Sequence, residues 1–191
     1  IMSNLNKQPS PIPYYEEIAE RDDSVNSIEK VRQRQKLVAL ETHLKEGISL
    51  GELDDIKDDC TLSHYFIPDL KSGYCLYARE LKMPKGAIVI GKIHKEQTLN
   101  ILSQGKISLL KDGKKVYLEA PYTYVSEPGI QKAAYIEEDV TWLNIHITKH
   151  SEESKLPLIE DEVIAKTYTE LGLIATEEEL KLLSKEDKGE V

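Results

Sequence analysis

GKIHKEQTLNILSQG, residues 91–105, alternates apolar and polar side chains between two glycines, as paired β-strands do. Its polar positions include one histidine, His94, together with Glu96 and Asn100. The stretch therefore predicts β-structure and raises the question of what the strand now serves.

Similar short segments, rich in β-branched and aromatic residues, continue on both sides of this stretch, with glycine and proline turns between them. Their spacing of about 8–12 residues is typical of a sandwich or barrel. Asp112 and Gly113 form a hairpin-turn signal between two of them. We therefore predict a mainly β fold with flanking helices, an antiparallel jelly-roll barrel. The segments are YCLYARELKM, AIVIGKIH, TLNILSQ, KISLL, KKVYLEA, YTYVSE, QKAAYI and VTWLNIHIT.

The composition divides the chain into four parts. Residues 1–23 form a proline-rich segment, which predicts an extended arm. Residues 24–57 carry helical patterns, residues 58–150 are expected to form the barrel, and residues 151–191 are expected to form two helices with a charged tail. Each part is predicted from its own residue pattern.

Helix signals set the expected bounds of the flanking helices. An apolar stripe of helical period predicts a helix over residues 24–46 with Gly47 as its stop, and SLGE, residues 49–52, has the form of a capping box that opens a second helix. After the barrel, one helix is expected to end at Gly172 and another to begin at Thr176.

Charge and hydropathy exclude several classes of function. The 191-residue chain has a formal net charge of -9 and a sequence pI near 5.2, so its surface should repel a phosphate backbone and no direct nucleic-acid partner is expected. No apolar run could span a bilayer and the first residues lack the apolar core of a signal peptide, so neither membrane insertion nor secretion is expected. Nucleotide-binding and nucleophile-elbow motifs are absent from the sequence.

Two longer stretches carry a family resemblance. PKGAIVIGKIHKEQTLNILSQGKISLL (84–110) and APYTYVSEPGIQKAAYIEEDVTWLNIHIT (120–148) resemble the two motifs of the cupin superfamily. More narrowly, YARELKMPKG, GKIHK, APYTYVSEPG and EEDVTW are similar to cupin-like proteins of unassigned function that tailed bacteriophages encode. The resemblance implies a small barrel that holds a ligand or metal, in a protein of the host cytoplasm or the virion.

The residues that match the cupin motifs have mostly lost their metal-binding chemistry. In that pattern His94 matches the first histidine, Glu96 the second, Asn100 the carboxylate and Lys132 the last histidine. Because a protonated lysine offers no lone pair to a metal, no metal, cofactor or catalytic residue is expected. Instead we expect a candidate pocket of these four residues, with Glu96 and Lys132 as a buried ion pair.

The role of His146, on the last predicted strand, depends on whether its side chain points into the barrel or away from it. Period-2 alternation puts His146 with Trp142 and Asn144, opposite an apolar set. We expect the apolar set to face the core and His146 to face away. The apolar set consists of Leu143, Ile145 and Ile147.

Two functions remain open on the sequence. The first is a non-enzymatic phage cupin-like scaffold, a structural virion component, that self-associates as a homo-oligomer and joins other phage proteins. The alternative is a small-molecule or metal-binding cupin, either an enzyme or a pocket that captures an anionic metabolite or nucleotide through Lys132 and His94. The helices outside the barrel could equally join copies or pack on their own barrel.

Overall fold

The computed structural model describes residues 28–111, 114–173 and 175. Its α-helices are α1 (Ile28–Leu50) and α2 (Leu156–Val163), and 3₁₀ helices cover Ile56–Asp59, Glu153–Lys155 and Tyr168–Leu171. The strands are β1 (Thr61–Asp69), β2 (Tyr74–Met83), β3 (Ile88–Ile90), β4 (Ile93–His94), β5 (Thr98–Gln104), β6 (Lys106–Lys111), β7 (Lys114–Glu119), β8 (Tyr122–Ser126), β9 (Ala133–Ile136), β10 (Val140–Thr148) and β11 (Ile164–Ala165). None of these helices is long and apolar enough to cross a membrane.

The long strands form two antiparallel sheets. One has the order β1-β2-β10-β5-β8 and the other the order β3-β9-β6-β7, while the short β4 and β11 pair with each other. The strands from β2 to β10 can be numbered 1 to 8 in chain order when the short β4 is left out. In these numbers the first sheet has the order 1-8-3-6 after its edge strand β1, and the second sheet has the order 2-7-4-5. That alternation between two sheets is the jelly-roll topology, so the predicted fold is confirmed.

The edge strand β1 is absent from the sequence prediction, which left TLSHYFIPD without an assigned strand. Pro68 lies within it and cannot donate a backbone hydrogen bond, which argues against a strand in the middle of a sheet. β1 is an edge strand that pairs with β2 alone. An edge tolerates proline because one side of the strand has no partner.

The first helix differs from its prediction at its end. α1 continues through Gly47 and Ser49 to Leu50, so Gly47 is not a stop and the SLGE capping box does not open a helix. Gly47 is buried, and a Cβ there would lie 2.7 Å from the Leu53 side chain, so glycine allows this close approach. Gly51, with φ 73°, follows the end of the helix.

The C-terminal part is shorter in helix than expected. The predicted helix up to Gly172 ends at Val163, because Ile164 and Ala165 pair with β4. A 3₁₀ helix follows, and Gly172 (φ 67°) caps it in the left-handed conformation. The predicted arm (1–23), the turn at residues 112–113 and the last predicted helix lie outside the described residues.

Apolar layers close the barrel interior at both ends. One end contains a cluster of fully or nearly fully buried side chains from both sheets, listed here: Met83, Ala87, Leu102, Ile107, Ile136 and Val140. At the other end, Ile159 and Val163 of α2 pack against Tyr77 of β2. The interior between these two layers is polar.

Candidate functional site

A row of polar side chains crosses the inner face of the five-stranded sheet. The strand register makes them direct neighbours in the order His64, Arg79, Asn144, Asn100 and Tyr124, one from each of β1, β2, β10, β5 and β8. Cross-strand neighbours on one face have Cβ atoms only about 4.5–5.5 Å apart. The sheet therefore gathers five hydrogen-bonding or charged groups in one layer.

The face of β10 that points inward is the opposite of the expected one. His146 and Thr148 are buried, and Asn144 hydrogen-bonds inside the barrel, whereas Ile147 is 72% exposed. The prediction that Leu143 and Ile145 face the core with Ile147 is therefore wrong. Alternation correctly divided the residues of β10 between two faces. Hydrophobicity indicated the wrong face as the inner one, because the polar side chains form hydrogen bonds inside the barrel.

Asn100 is the centre of the hydrogen-bond network. Its side chain is 1% exposed, and its Nδ2 donates to the Thr98 carbonyl at 2.7 Å and to Ser126 Oγ at 3.1 Å. Its Oδ1 accepts from Asn144 Nδ2 at 2.9 Å and from Lys132 Nζ at 3.4 Å. The network satisfies and fixes the buried amide, so its oxygen is held in place.

Lys132 reaches this layer from the segment before β9. Gly91 donates its backbone N–H to the Lys132 carbonyl at 2.8 Å, which ties the lysine to the crossing between β3 and β4. The ammonium nitrogen lies 4.6 Å from the Tyr124 ring centroid, and burial lowers the pKa of Lys132 to about 8. The described residues place no carboxylate within 4.0 Å of this nitrogen.

Glu96 does not join the layer. It is exposed in the bend between β4 and β5, where its carbonyl accepts from Thr98 Oγ1 at 3.3 Å. The expected buried ion pair between Glu96 and Lys132 is therefore not formed. Strict alternation from His94 would have turned Glu96 inward, but the strand ends at His94 and alternation ends with it.

Two histidines lie next to each other in the interior. The rings of His94 and His146 have centroids 4.9 Å apart, and His94 Nδ1 lies 2.5 Å from Thr98 Oγ1. Burial, followed by the positive potentials of His146, Lys132 and Arg79, lowers the pKa of His94 to about 3. Burial and Arg79 lower the pKa of His146 to about 4, so both imidazoles are neutral at neutral pH.

Arg79 makes this layer still more positive. It faces inward beside Asn144, and no described carboxylate lies within 4.0 Å of its guanidinium. Glu162 approaches this face two rows further along β10, where Thr148 Oγ1 donates to it at 2.5 Å. Among the described residues, Lys132 and Arg79 are thus two cations without a carboxylate partner, in a chain of net charge -9.

The donor set does not fit a transition-metal centre. The described residues contain no group of three or more His, Cys, Asp or Glu side chains that could hold a metal ion. His94 and His146 could offer two imidazole nitrogens, but three or four donors are usual, and the nearby ammonium of Lys132 would repel a cation. The matching position of a carboxylate ligand is filled by Asn100.

A separate cleft of about 470 Å³ lies outside the barrel, between α1 and α2. Its charged side chains form ion pairs across short distances: Lys45 with Glu41, Lys92 with Glu160 and Lys166 with Asp161. Exposed pairs of this kind contribute little energy, and they leave no uncompensated charge. The barrel layer, whose two cations have no carboxylate partner in the described part of the chain, is therefore the stronger candidate for a site.

No protein-family model and no curated protein matches the chain. Among solved structures, the chain is similar to KdgF from Halomonas sp., with 18% identity and a TM-score of 0.39 over 56% of this chain and 94% of that one. It is also similar to the Cupin_2 domain of an XRE-family transcriptional regulator from Enterobacter cloacae, with 13% identity, a TM-score of 0.36 and coverage of 47% and 95%. A cupin superfamily protein from Desulfitobacterium hafniense gives 15% identity, a TM-score of 0.34 and coverage of 46% and 76%. Similarity at this level assigns no ligand, metal or activity to the chain.

Proposed function

We propose that the polar layer of the barrel binds a small organic anion, a carboxylate or a phosphate ester, and that the chain acts as a binding protein rather than an enzyme. The observation that carries this proposal is the presence of Lys132 and Arg79 on the inner face without a described carboxylate partner. Burying an unpaired charge is costly, and a bound anion offsets that cost.

The surrounding groups suit an anion better than a cation. Lys132 makes one described hydrogen bond, a long one to Asn100 Oδ1, so other N–H groups of its ammonium are available to a ligand. Arg79 adds a planar fork that can bind a carboxylate or phosphate through two parallel hydrogen bonds. The neutral imidazole of His146 can donate one further N–H.

The test is a ligand-dependent thermal shift at constant ionic strength, with citrate, acetate and phosphate as probes and chloride as the reference. An anion at 100 times its dissociation constant should add about 2.7 kcal/mol to the free energy of unfolding, which corresponds to a Tm rise of several degrees for a chain of this size. Lys132→Met should abolish the rise.

The matched control is Lys57→Met, which removes an exposed lysine from the 3₁₀ helix before β1. It should keep the full thermal shift. A shift that survives Lys132→Met, or one that Lys57→Met also removes, would assign the effect to general surface charge. No shift with any probe would contradict anion binding.

A second candidate is the self-associating scaffold that the sequence favours. The observation in its favour is a set of exposed apolar side chains on the outer face of the five-stranded sheet, among them Ile67 and Ile147. Monomeric proteins seldom expose large contiguous apolar patches. That such a scaffold belongs to a phage particle, or contacts other phage proteins, is a proposal that rests on the sequence resemblance alone.

A further inference from the structure

The outer face of β1, β2 and β10 carries an exposed apolar patch near the β1–β2 turn. Ile67, Leu76 and Ile147 are 65%, 43% and 72% exposed. Tyr65 and Tyr74 are exposed on the same face. We call these five residues the outer patch. All five point away from the barrel interior, so the patch contributes nothing to the core.

The strand register arranges the outer patch symmetrically about β2. Ile67 of β1 and Ile147 of β10 both lie opposite Leu76, which gives a row of isoleucine, leucine and isoleucine. In the adjacent row, the small side chain of Ala78 lies between Tyr65 and Ile145. A surface with this pattern is close to self-complementary under rotation about an axis along β2.

The absence of charge from the outer patch also suits a second copy of the chain. The outer patch contains no charged residue, so two copies of a chain with net charge -9 can meet there without bringing like charges into the centre of the contact. Three strands about 4.8 Å apart and about 30 Å long present a flat area of about 430 Å². This is about half of the roughly 800 Å² that each partner contributes to a standard-size interface, so the contact is a small one.

We propose that the outer patch is the interface of a homodimer in which two five-stranded sheets pack face to face. The two-fold axis lies in the interface and runs along β2, so that Ile67 contacts the partner's Ile147 and Leu76 contacts the partner's Leu76. Such an interface is isologous and closes after two copies. This inference concerns a different face from the anion site, and it names the partner of the scaffold candidate.

The first experiment measures molecular mass by light scattering or sedimentation at micromolar concentration. The wild-type chain should have twice the monomer mass of 21.7 kDa, and Ile147→Glu should reduce it to the monomer mass. Ile147 is mostly exposed, so its replacement should leave the fold intact, which circular dichroism can verify. Ile88→Glu, a matched change at a 49% exposed isoleucine of the four-stranded sheet, should remain a dimer.

The second experiment tests the axis. Ile67→Glu alone should also give a monomer, because it buries a carboxylate against an isoleucine. Ile67→Glu combined with Ile147→Lys should restore the dimer, because each new glutamate then meets a lysine of the partner subunit. The restored dimer should weaken at high salt.

Three outcomes would overturn the proposal: a monomeric wild type, a dimer that survives Ile147→Glu, or an equal loss of the dimer in Ile88→Glu. Failure of the charge-swapped pair to dimerise would overturn the axis along β2. None of these results bears on anion binding, because Lys132 lies on the other side of the sheet. The thermal shift with citrate, measured on monomeric Ile147→Glu, therefore tests the barrel site separately.

Discussion

Two layers of the barrel interior, the apolar end that contains Leu102 and the polar layer around Asn100, have opposite chemistry. At one end Leu102, Ile107 and Ile136 are almost completely buried, and their packing removes apolar surface from water. In the polar layer Asn100 is buried equally well, but its neighbours are a lysine, an asparagine and backbone carbonyls. Burial is the same in both layers, and only the chemistry differs.

Because of this difference, the apolar end of the barrel contributes stability, whereas the polar layer is the candidate for a binding function. Apolar side chains at the first end stabilise the fold through burial alone. In the polar layer each hydrogen bond contributes little net energy, and the unpaired cation of Lys132 costs energy because burial favours its neutral form. Groups that cost stability and persist in a fold are candidates for a binding role.

The largest effect should come from the apolar end. Leu102 is 0% exposed, and Leu102→Ala should lower the free energy of unfolding by about 2–5 kcal/mol because it removes buried methyl groups and leaves a cavity. Urea denaturation measures the change. Leu158→Ala, at a 48% exposed position of α2, should change the value by less than about 0.5 kcal/mol. If Leu102→Ala changed the free energy of unfolding as little as Leu158→Ala, the apolar end would not be the main source of the barrel's stability.

The strands themselves could be predicted well from residue pattern. β2, β5 and β10 have the predicted bounds, because β-branched and aromatic runs between turn residues leave few alternatives. β1 could not be predicted, because Pro68 argues against a central strand and the sequence does not show which strand lies at an edge. The predicted helix end at Gly47 was wrong, because this glycine serves a close tertiary contact with Leu53 that the sequence does not reveal.

The site could be predicted only in part. The sequence pointed to His94, Asn100 and Lys132, and the structure brings these three together. Alternation along β10 put His146 on the wrong face, and nothing in the sequence put Arg79 in the layer, because the direction of a side chain depends on which side of the sheet the barrel closes. Apolar residues on the outer face of β10, such as exposed Ile147, made that face resemble the core face. Alternation alone does not distinguish a strand that is apolar on its outer face from one that is apolar on its inner face.

The next effect distinguishes the polar interior from the apolar end by its dependence on pH. His94 and His146 have folded-state pKa values of about 3 and about 4, below the ordinary value, so the unfolded state binds more protons as pH falls below about 6.5. Their contribution is complete above that pH and is lost as pH falls. The free energy of unfolding should drop by about 2 kcal/mol between pH 6.5 and 5.5.

Replacing both histidines with glutamine should flatten this slope, whatever it does to the absolute stability. The same replacement at exposed His43 of α1 controls for the loss of a histidine as such. Leu102→Ala should lower the whole curve and keep its slope, because none of the six buried side chains in the apolar cluster titrates. A double histidine variant with the wild-type slope would contradict the buried, neutral assignment.

The smallest expected effect is an interaction energy near zero, between Glu96 and Lys132. Lys132→Met replaces a desolvated ammonium with an apolar side chain of similar length, while Asn100 Oδ1 keeps its bond from Asn144. The variant should therefore be as stable as the wild type or more stable, by up to about 1–3 kcal/mol, even though it loses anion binding.

Glu96→Leu tests whether that gain depends on the carboxylate. Since Glu96 is exposed and makes no ion pair with Lys132 in the described structure, the double variant should equal the sum of the single changes within about 0.5 kcal/mol. A buried ion pair would give the reverse: Lys132→Met alone would destabilise by about 3–5 kcal/mol, and Glu96→Leu would recover much of the loss. Denaturation of the four proteins of the cycle, without added anions, separates the two results. Additivity would also sharpen the contrast between the polar layer and the apolar end, because Lys132 would then cost stability and no carboxylate of the described residues would compensate its charge.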